Sequence, residues 1–425
     1  MELNDILLVA LQARASDVHL KAGLPPIFRV DGSLVPLKDG QRLLPEDVAR
    51  MALGTMSEMQ RAKFQQTNEV DLAYALPGVG RFRVNVFQQR GTVGAVFRAI
   101  PVKVPTITQL MLPQIVEKLA AESRGLILVT GATGTGKSTT LAAMVEHINN
   151  TETCHVITIE DPIEFLIRDK RSVVNQREVG VDTMSFGQAL KSAMRQDPDV
   201  ILVGEMRDLE TMETALNAAE TGHLVLSTLH TIDATETIQR VIAAFPPYQQ
   251  KPIRLQLASV LRGVVSQRLV AREDGRGRVP AVEVMVATAR VRELIEDENR
   301  TKEIAEAIAQ GNVAYGMQTF DQSLMSLLQK GLISYREALR QASNPDDFAL
   351  RVSGVSSTSD AKWDGFDAAA GDRAAPGQPA AAARPAGATP GARTSRAGEA
   401  TATPRPGAAG EPKGAVVDDF TIERF

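Results

Sequence analysis

Gly131-Ala-Thr-Gly-Thr-Gly-Lys-Ser138 decides the fold of this 425-residue chain. It fits the pattern G-x-x-x-x-G-K-[ST]. Ahead of it runs Gly125-Leu-Ile-Leu-Val-Thr130, a short apolar run that reads as a buried strand. Behind it Leu141, Met144, Val145 and Ile148 recur at helical spacing. A strand–loop–helix setting is the context in which the pattern means a phosphate cradle. The glycines let the backbone turn tightly and bring its N–H groups against an anion, and the new helix aims its positive end at the same place. Gly131, Ala132, Thr133, Gly134, Thr135, Gly136, Lys137, Ser138 and Thr139 are therefore the expected nucleotide cradle. Lys137 is expected at the β- and γ-phosphates of ATP and Ser138 at Mg²⁺. A chance Gly-rich turn is the alternative, and the surrounding strand and helix argue against it.

Outward from the loop, Val156-Ile-Thr-Ile159, Val200-Ile-Leu-Val203 and Leu224-Val-Leu-Ser227 read as further strands alternating with helices. That alternation predicts an α/β core, over about 111–245, with a mainly parallel sheet covered on both faces. Ligands of such sheets bind beyond the carboxyl ends of the strands. Polar clusters follow each strand there: Glu160-Asp-Pro-Ile-Glu164, Gly204-Glu-Met-Arg-Asp208 and Thr228-Leu-His-Thr231. Hydrolysis needs an oriented water, a held Mg²⁺ and stabilised phosphoryl charge. Glu205 ends an apolar strand, the place of a metal-linked acid. Glu160, Asp161 and Glu164 lie beyond another, and Pro162 bends the chain so that Glu164 can face the γ-phosphate. Some of these acids can instead cap helices or pair with Arg168 or Arg207. His223 and His230 flank one core strand at a spacing wrong for a zinc pair, and His230 is favoured for a functional role. His19, His147 and His155 read as structural.

Residues 1–100 read as a small α/β domain: an amphipathic helix on Leu3, Ile6, Leu7, Ala10 and Leu11, then alternating strands with a turn at Asp31-Gly32. Arg81 and Arg83 alternate with Phe82 and Val84, so one sheet face is wet and basic, either as a solvated surface or as a functional arginine row. Ile100-Pro-Val-Lys-Val-Pro-Thr106, which leads into a linker at 101–110, reads as a stiff hinge that does not tie the domains together. Residues 246–350 read as mostly helical, with Leu255, Ala258, Leu261, Val265 and Leu269 on one apolar face. From 351 to 425 Ala, Pro, Gly, Ser and Thr dominate, a composition expected to be disordered. Trp363, Phe366 and the end Asp418-Asp-Phe-Thr-Ile-Glu-Arg-Phe425 interrupt it and are a candidate docking peptide.

Net charge is -4 at 44% hydrophobic composition. That balance, with no aromatic–basic stripe, argues against nucleic acid as the partner. The single cysteine, Cys154, permits no intrachain disulfide, and a reducing cytoplasm is the expected compartment. An acidic start and the lack of a long apolar run predict neither signal peptide nor membrane insertion.

Four stretches together resemble a known family: Gly131–Ser138, Ile157-Thr-Ile-Glu-Asp-Pro-Ile-Glu-Phe165, Ile201-Leu-Val-Gly-Glu-Met-Arg-Asp208 and Thr221-Gly-His-Leu-Val-Leu-Ser-Thr-Leu-His-Thr231. They look like the Walker A, Asp, Walker B and His boxes of the type II/IV secretion ATPases. Ala15-Ser-Asp-Val-His-Leu20 and Val174-Asn-Gln-Arg-Glu178 are similar to its PilT-type pilus-retraction branch. The resemblance implies a PAS-like N-terminal domain, a RecA-like core with a helical end, and a homohexamer. It further implies a cytoplasmic ring at the inner membrane, at the pilus base, whose ATP hydrolysis acts on a platform protein. Glu164 matches the acid that activates water, Glu205 the Mg²⁺-linked acid, and His223 and His230 the His-box pair. Arg81, Arg83 and Arg98 are the arginine-finger candidates. One cysteine cannot build the four-cysteine zinc site usual in the extension and secretion relatives. Arg290-Val-Arg-Glu-Leu-Ile-Glu-Asp297 stands where the retraction branch has Ala-Ile-Arg-Asn-Leu-Ile-Arg-Glu. That change, with the long tail, leaves open an accessory, PilU-like paralogue supporting another pilus ATPase.

Overall fold

The computed structural model describes residues 2–354 apart from 31, 39, 77–78 and 102. The N-terminal elements are α1 (Leu3–Gln12), β1 (Asp17–Lys21), β2 (Ile27–Val30), β3 (Ser33–Pro36), α2 (Pro45–Gly54), α3 (Glu58–Thr67), β4 (Glu69–Leu76), β5 (Gly80–Gln89) and β6 (Thr92–Ile100). The six strands form one antiparallel sheet in the order β3-β2-β1-β6-β5-β4. Helix α1 contributes the expected stripe Leu3, Ile6, Leu7 and Ala10 to its core, and Phe82, Val84 and Val86 of β5 face the same way. The turn expected at Asp31-Gly32 joins β2 to β3, and Asp31 itself lies outside the described residues.

The rest of the described chain runs α4 (Ile115–Ala120), β7 (Gly125–Thr130), α5 (Lys137–Thr151), β8 (His155–Glu160), β9 (Val173–Glu178), α6 (Phe186–Ala193), β10 (Val200–Val203), α7 (Leu209–Glu220), β11 (Leu224–Leu229) and α8 (Ala234–Ala243). There follow α9 (Pro247–Val260), β12 (Leu261–Ala271), β13 (Arg278–Val286), α10 (Ala289–Glu296), a 3₁₀ turn at Thr301–Glu303, α11 (Ile304–Gln310), α12 (Asn312–Tyr315), α13 (Phe320–Gln329), α14 (Tyr335–Gln341) and α15 (Pro345–Val352). Seven strands form the second sheet in the order β13-β12-β7-β11-β10-β8-β9, all parallel except β13. Strand β7 is buried on both faces. Leu126 and Leu128 pack into the cluster built with α6 to α10, while Ile127 and Val129 pack into the cluster built with α4 and α5. The period of two along one strand thus joins the two helical layers of an α/β core.

The mostly helical reading of 246–350, with Leu261, Val265 and Leu269 on a helix face, fails at β12 and β13. Helix α9 stops at Val260, and the chain then pairs with β7 and returns as an antiparallel hairpin. Leu261, Val264 and Val265 are buried on both faces of a sheet interior, so no polar alternation betrays the strand and the apolar spacing mimics a helix. The linker is also not free. The Leu166 N–H donates to the Pro101 carbonyl at 3.2 Å, and Val104 and Ile107 are buried. The tail expected from 351 onward, with Trp363, Phe366 and the terminal segment, lies outside the described residues from 355; α15 still includes Arg351 and Val352.

Candidate nucleotide site

A cleft of about 560 Å³ opens at the carboxyl ends of β7, β8, β10 and β11. Thr133, Gly134, Gly136, Lys137, Ser138 and Thr139 form one wall. Helix α5 begins at Lys137, so the first N–H groups of the helix precede its hydrogen-bond ladder and face the loop. Gly134 and Gly136 adopt φ of +79° and +92°, the left-handed region that glycine enters without cost. Gly131 has φ +143°, and a Cβ there would stand 2.5 Å from the Gln267 carbonyl and 2.6 Å from Thr135 Oγ1. Strand β12 therefore presses on the base of the loop. The same Gln267 sends its side-chain amide to Thr140 of α5 at 2.9 Å, bracing the helix from below.

The Lys137 ammonium donates to the Gly131 and Ala132 carbonyls at 2.9 and 3.0 Å and lies 3.5 Å from His230 Nδ1. Burial pushes its pKa down, against the attraction of Glu205 and Glu164. An ammonium offers only protons, so Nδ1 faces it as acceptor and Nε2 carries the proton toward Glu205. That nitrogen is 3.0 Å from Glu205 Oε1, while Arg207 Nε is 2.7 Å from Glu205 Oε2. Glu205 thus stands between a histidine and an arginine, with Ser138 on the same cleft. Of the three acids expected here, Glu160 is engaged otherwise: it accepts from Thr158 Oγ1 at 2.6 Å and Gln176 Nε2 at 3.0 Å, and burial pushes its carboxyl up. Glu164 is exposed at the cleft.

Lys137, Ser138, Glu164, Glu205 and His230 are therefore brought together, as the strand-edge rule expects. His223 is not. It precedes β11, whose seven-residue path to His230 spans roughly 20 Å at strand rise. Its Nδ1 lies 2.9 Å from the Ala218 carbonyl, at the opposite edge of the sheet. The arginine-finger candidates are also unequal. Arg81 is bound to Glu178 at 3.0 Å, and Arg98 to Asp17 at 2.8 Å. Arg83 is exposed with no partner among the described residues. Sequence reasoning placed Arg207 only as a possible partner for an acid, the role it takes here. It gave no role to Arg278, which lines the cleft from the start of β13, because it gave no strand there.

A phosphate loop on a mainly parallel sheet, facing free and paired carboxylates, defines a P-loop ATPase. The type II/IV secretion system protein family model matches residues 1–340, and the chain belongs to that family. It is 47% identical over 353 residues to the type IV pilus retraction ATPase PilT of Pseudomonas aeruginosa, covering 82% of this chain and all of that one. It is 42% identical over 363 residues to the type IV pilus ATPase PilU of the same organism, covering 85% and 94%. A crystal structure of the pilus retraction motor PilT with bound ADP superposes with a TM-score of 0.75 at 47% identity, covering 82% of this chain and 98% of that one. The PilT-type reading of the chain agrees with these relatives.

Proposed function

We propose that the chain is the hexameric motor that powers type IV pilus retraction, hydrolysing ATP and acting on a platform protein in the inner membrane. The carrying observation is the convergence of Lys137, Glu205 and His230 beside an exposed Glu164 in one cleft. Lys137 leaves its loop carbonyls to meet the β- and γ-phosphates. Glu164 takes the proton from water as its oxygen bonds to the γ-phosphorus and the bond to the β-phosphate oxygen breaks. Ser138 and Glu205 fit a hard cation, offering a hydroxyl and a carboxylate on one wall of the cleft. When bound there, Mg²⁺ neutralises phosphate charge. His230 and Arg207 hold the Glu205 carboxylate in place. Arg83 is the finger candidate left unpaired by the described structure and would serve a neighbouring subunit's site.

A second reading, an accessory PilU-like subunit, draws on the 42% identity to PilU and on α10. There Val291, Leu294 and Ile295 are core, while Glu293 and Glu296, which depart from the retraction pattern, lie on the exposed face. Complementation in a strain lacking the gene separates the readings. As the motor, the chain with Lys137→Ala fails to restore retraction. Restoration by that variant, where an empty vector fails, assigns the chain the accessory role.

A further inference from the structure

Glu164 rides on the loop between β8 and β9. The core holds that loop through Gln176, which accepts the Ile167 N–H at 2.8 Å and donates to the Phe165 carbonyl at 2.9 Å, and through Glu160, which accepts the Glu164 N–H at 3.5 Å. Two further hydrogen bonds grip it, one on each side of Glu164. Ile163 N–H donates to Glu178 Oε2 at 3.4 Å, and the same oxygen accepts from Arg81 Nη2 of β5 at 3.0 Å. On the other side Leu166 N–H donates to the carbonyl of Pro101, the residue after β6. Both grips lead to the N-terminal sheet. Glu178 is nearly enclosed, its side chain 5% exposed against 20% for Arg81. Burial pushes the Glu178 carboxyl up, and Arg81 and the Ile163 N–H draw it back down. Arg81 is itself half-satisfied, because its Nε is buried without a partner among the described residues. Among the described residues the pair is made through Nη2 alone.

We propose that Glu178 is a positioning residue for hydrolysis, coupling the pose of the N-terminal sheet, through Arg81, to the loop that carries Glu164. The inference rests on the ATPase reading of the cleft. The phosphate cradle belongs to different elements, the loop before α5 and α5 itself, so undocking the N-terminal sheet misplaces the base and leaves the cradle intact. Nucleotide is then held but not turned over until the sheet is seated.

The test uses the full chain. Steady-state kcat and the Kd of a non-hydrolysable ATP analogue are measured for wild type, Arg81→Met, Glu178→Gln, the double variant and Glu178→Asp. Glu178→Asp keeps the charge and shortens the reach by one carbon–carbon bond, about 1.5 Å. A misplacement on that scale predicts kcat lower by roughly 10–100-fold in Arg81→Met and Glu178→Asp, with analogue Kd unchanged. Because both residues act along one path, the double variant is no slower than the worse single variant. Unchanged kcat, an equal loss of affinity, or losses that multiply in the double variant overturn the proposal. If Arg81→Met fails to fold, as its unfolding transition reports, Glu178→Asp carries the same expectation alone. Absence of hydrolysis by the wild type is a different result and rejects the reading of the cleft itself.

Discussion

Gly131 is where the phosphate loop meets β12, and no side chain fits there. A methyl group at that position collides with the Gln267 carbonyl and Thr135, in a backbone region that L residues rarely enter. Gly131→Ala is expected to destabilise the fold by about 1–3 kcal/mol. It should also weaken nucleotide binding by roughly tenfold or more, which calorimetric titration of a non-hydrolysable analogue measures. Retained affinity would mean that β12 yields. The loop glycines, Lys137, Glu164, Glu205 and His230 were legible in the sequence because a strand ending in polar residues fixes which side chains reach one edge of a sheet. His223 failed the same rule, since it precedes its strand and so lies at the other end of it from His230. The engagement of Glu160 by Gln176 was hidden because β9, which carries Gln176, is a half-exposed edge strand of mixed polarity that no periodicity announces.

The hairpin of β12 and β13 brings a second buried acid into the core. Glu283 accepts the Ala234 N–H at 2.9 Å, at the start of α8 and four residues beyond His230 in the chain. Burial pushes its pKa from 4.5 to about 7, helped by Asp233 and opposed by the Ala234 hydrogen bond and Arg268. The folded state therefore holds this proton more tightly than the unfolded chain. The stability linked to it is present below the unfolded value and is lost as pH rises through the folded one. Relative to Glu283→Gln, which keeps an acceptor for Ala234, wild type is expected to lose about 2–3 kcal/mol between about pH 5 and pH 8.5. Denaturant titrations at both pH values check this. Parallel trends in the two proteins would remove Glu283 as the titrating group. The sequence withheld this element because a strand with both faces buried has the apolar density of a core helix. Its neighbour β7 was legible only because the loop motif follows it.

At the scale of the molecule, the described cores close without any residue past 354: the last cluster ends on Phe348 of α15, packed with Phe320, Leu324 and Ile333. Deleting residues 355–425 is expected to leave the unfolding midpoint and the ATPase rate at wild-type values, as thermal melts and a phosphate assay report. A lowered midpoint would show that the segment supports the fold. The early run of strands and the later strand–helix alternation were legible, and they form two separate sheets. The tie between the two parts was not legible. It depends on Arg81 meeting Glu178 from a distant part of the chain, and on a proline carbonyl, and neither has a sequence signal. The proposed motor rests throughout on one chemical act, and inorganic phosphate release from ATP and Mg²⁺ by purified full-length chain measures it directly, wild type beside Glu164→Gln. The account predicts saturable release by wild type and a loss of roughly 10²–10⁴-fold in the variant with ATP binding kept. No release by wild type in any assembly state, or equal release by both proteins, would contradict it.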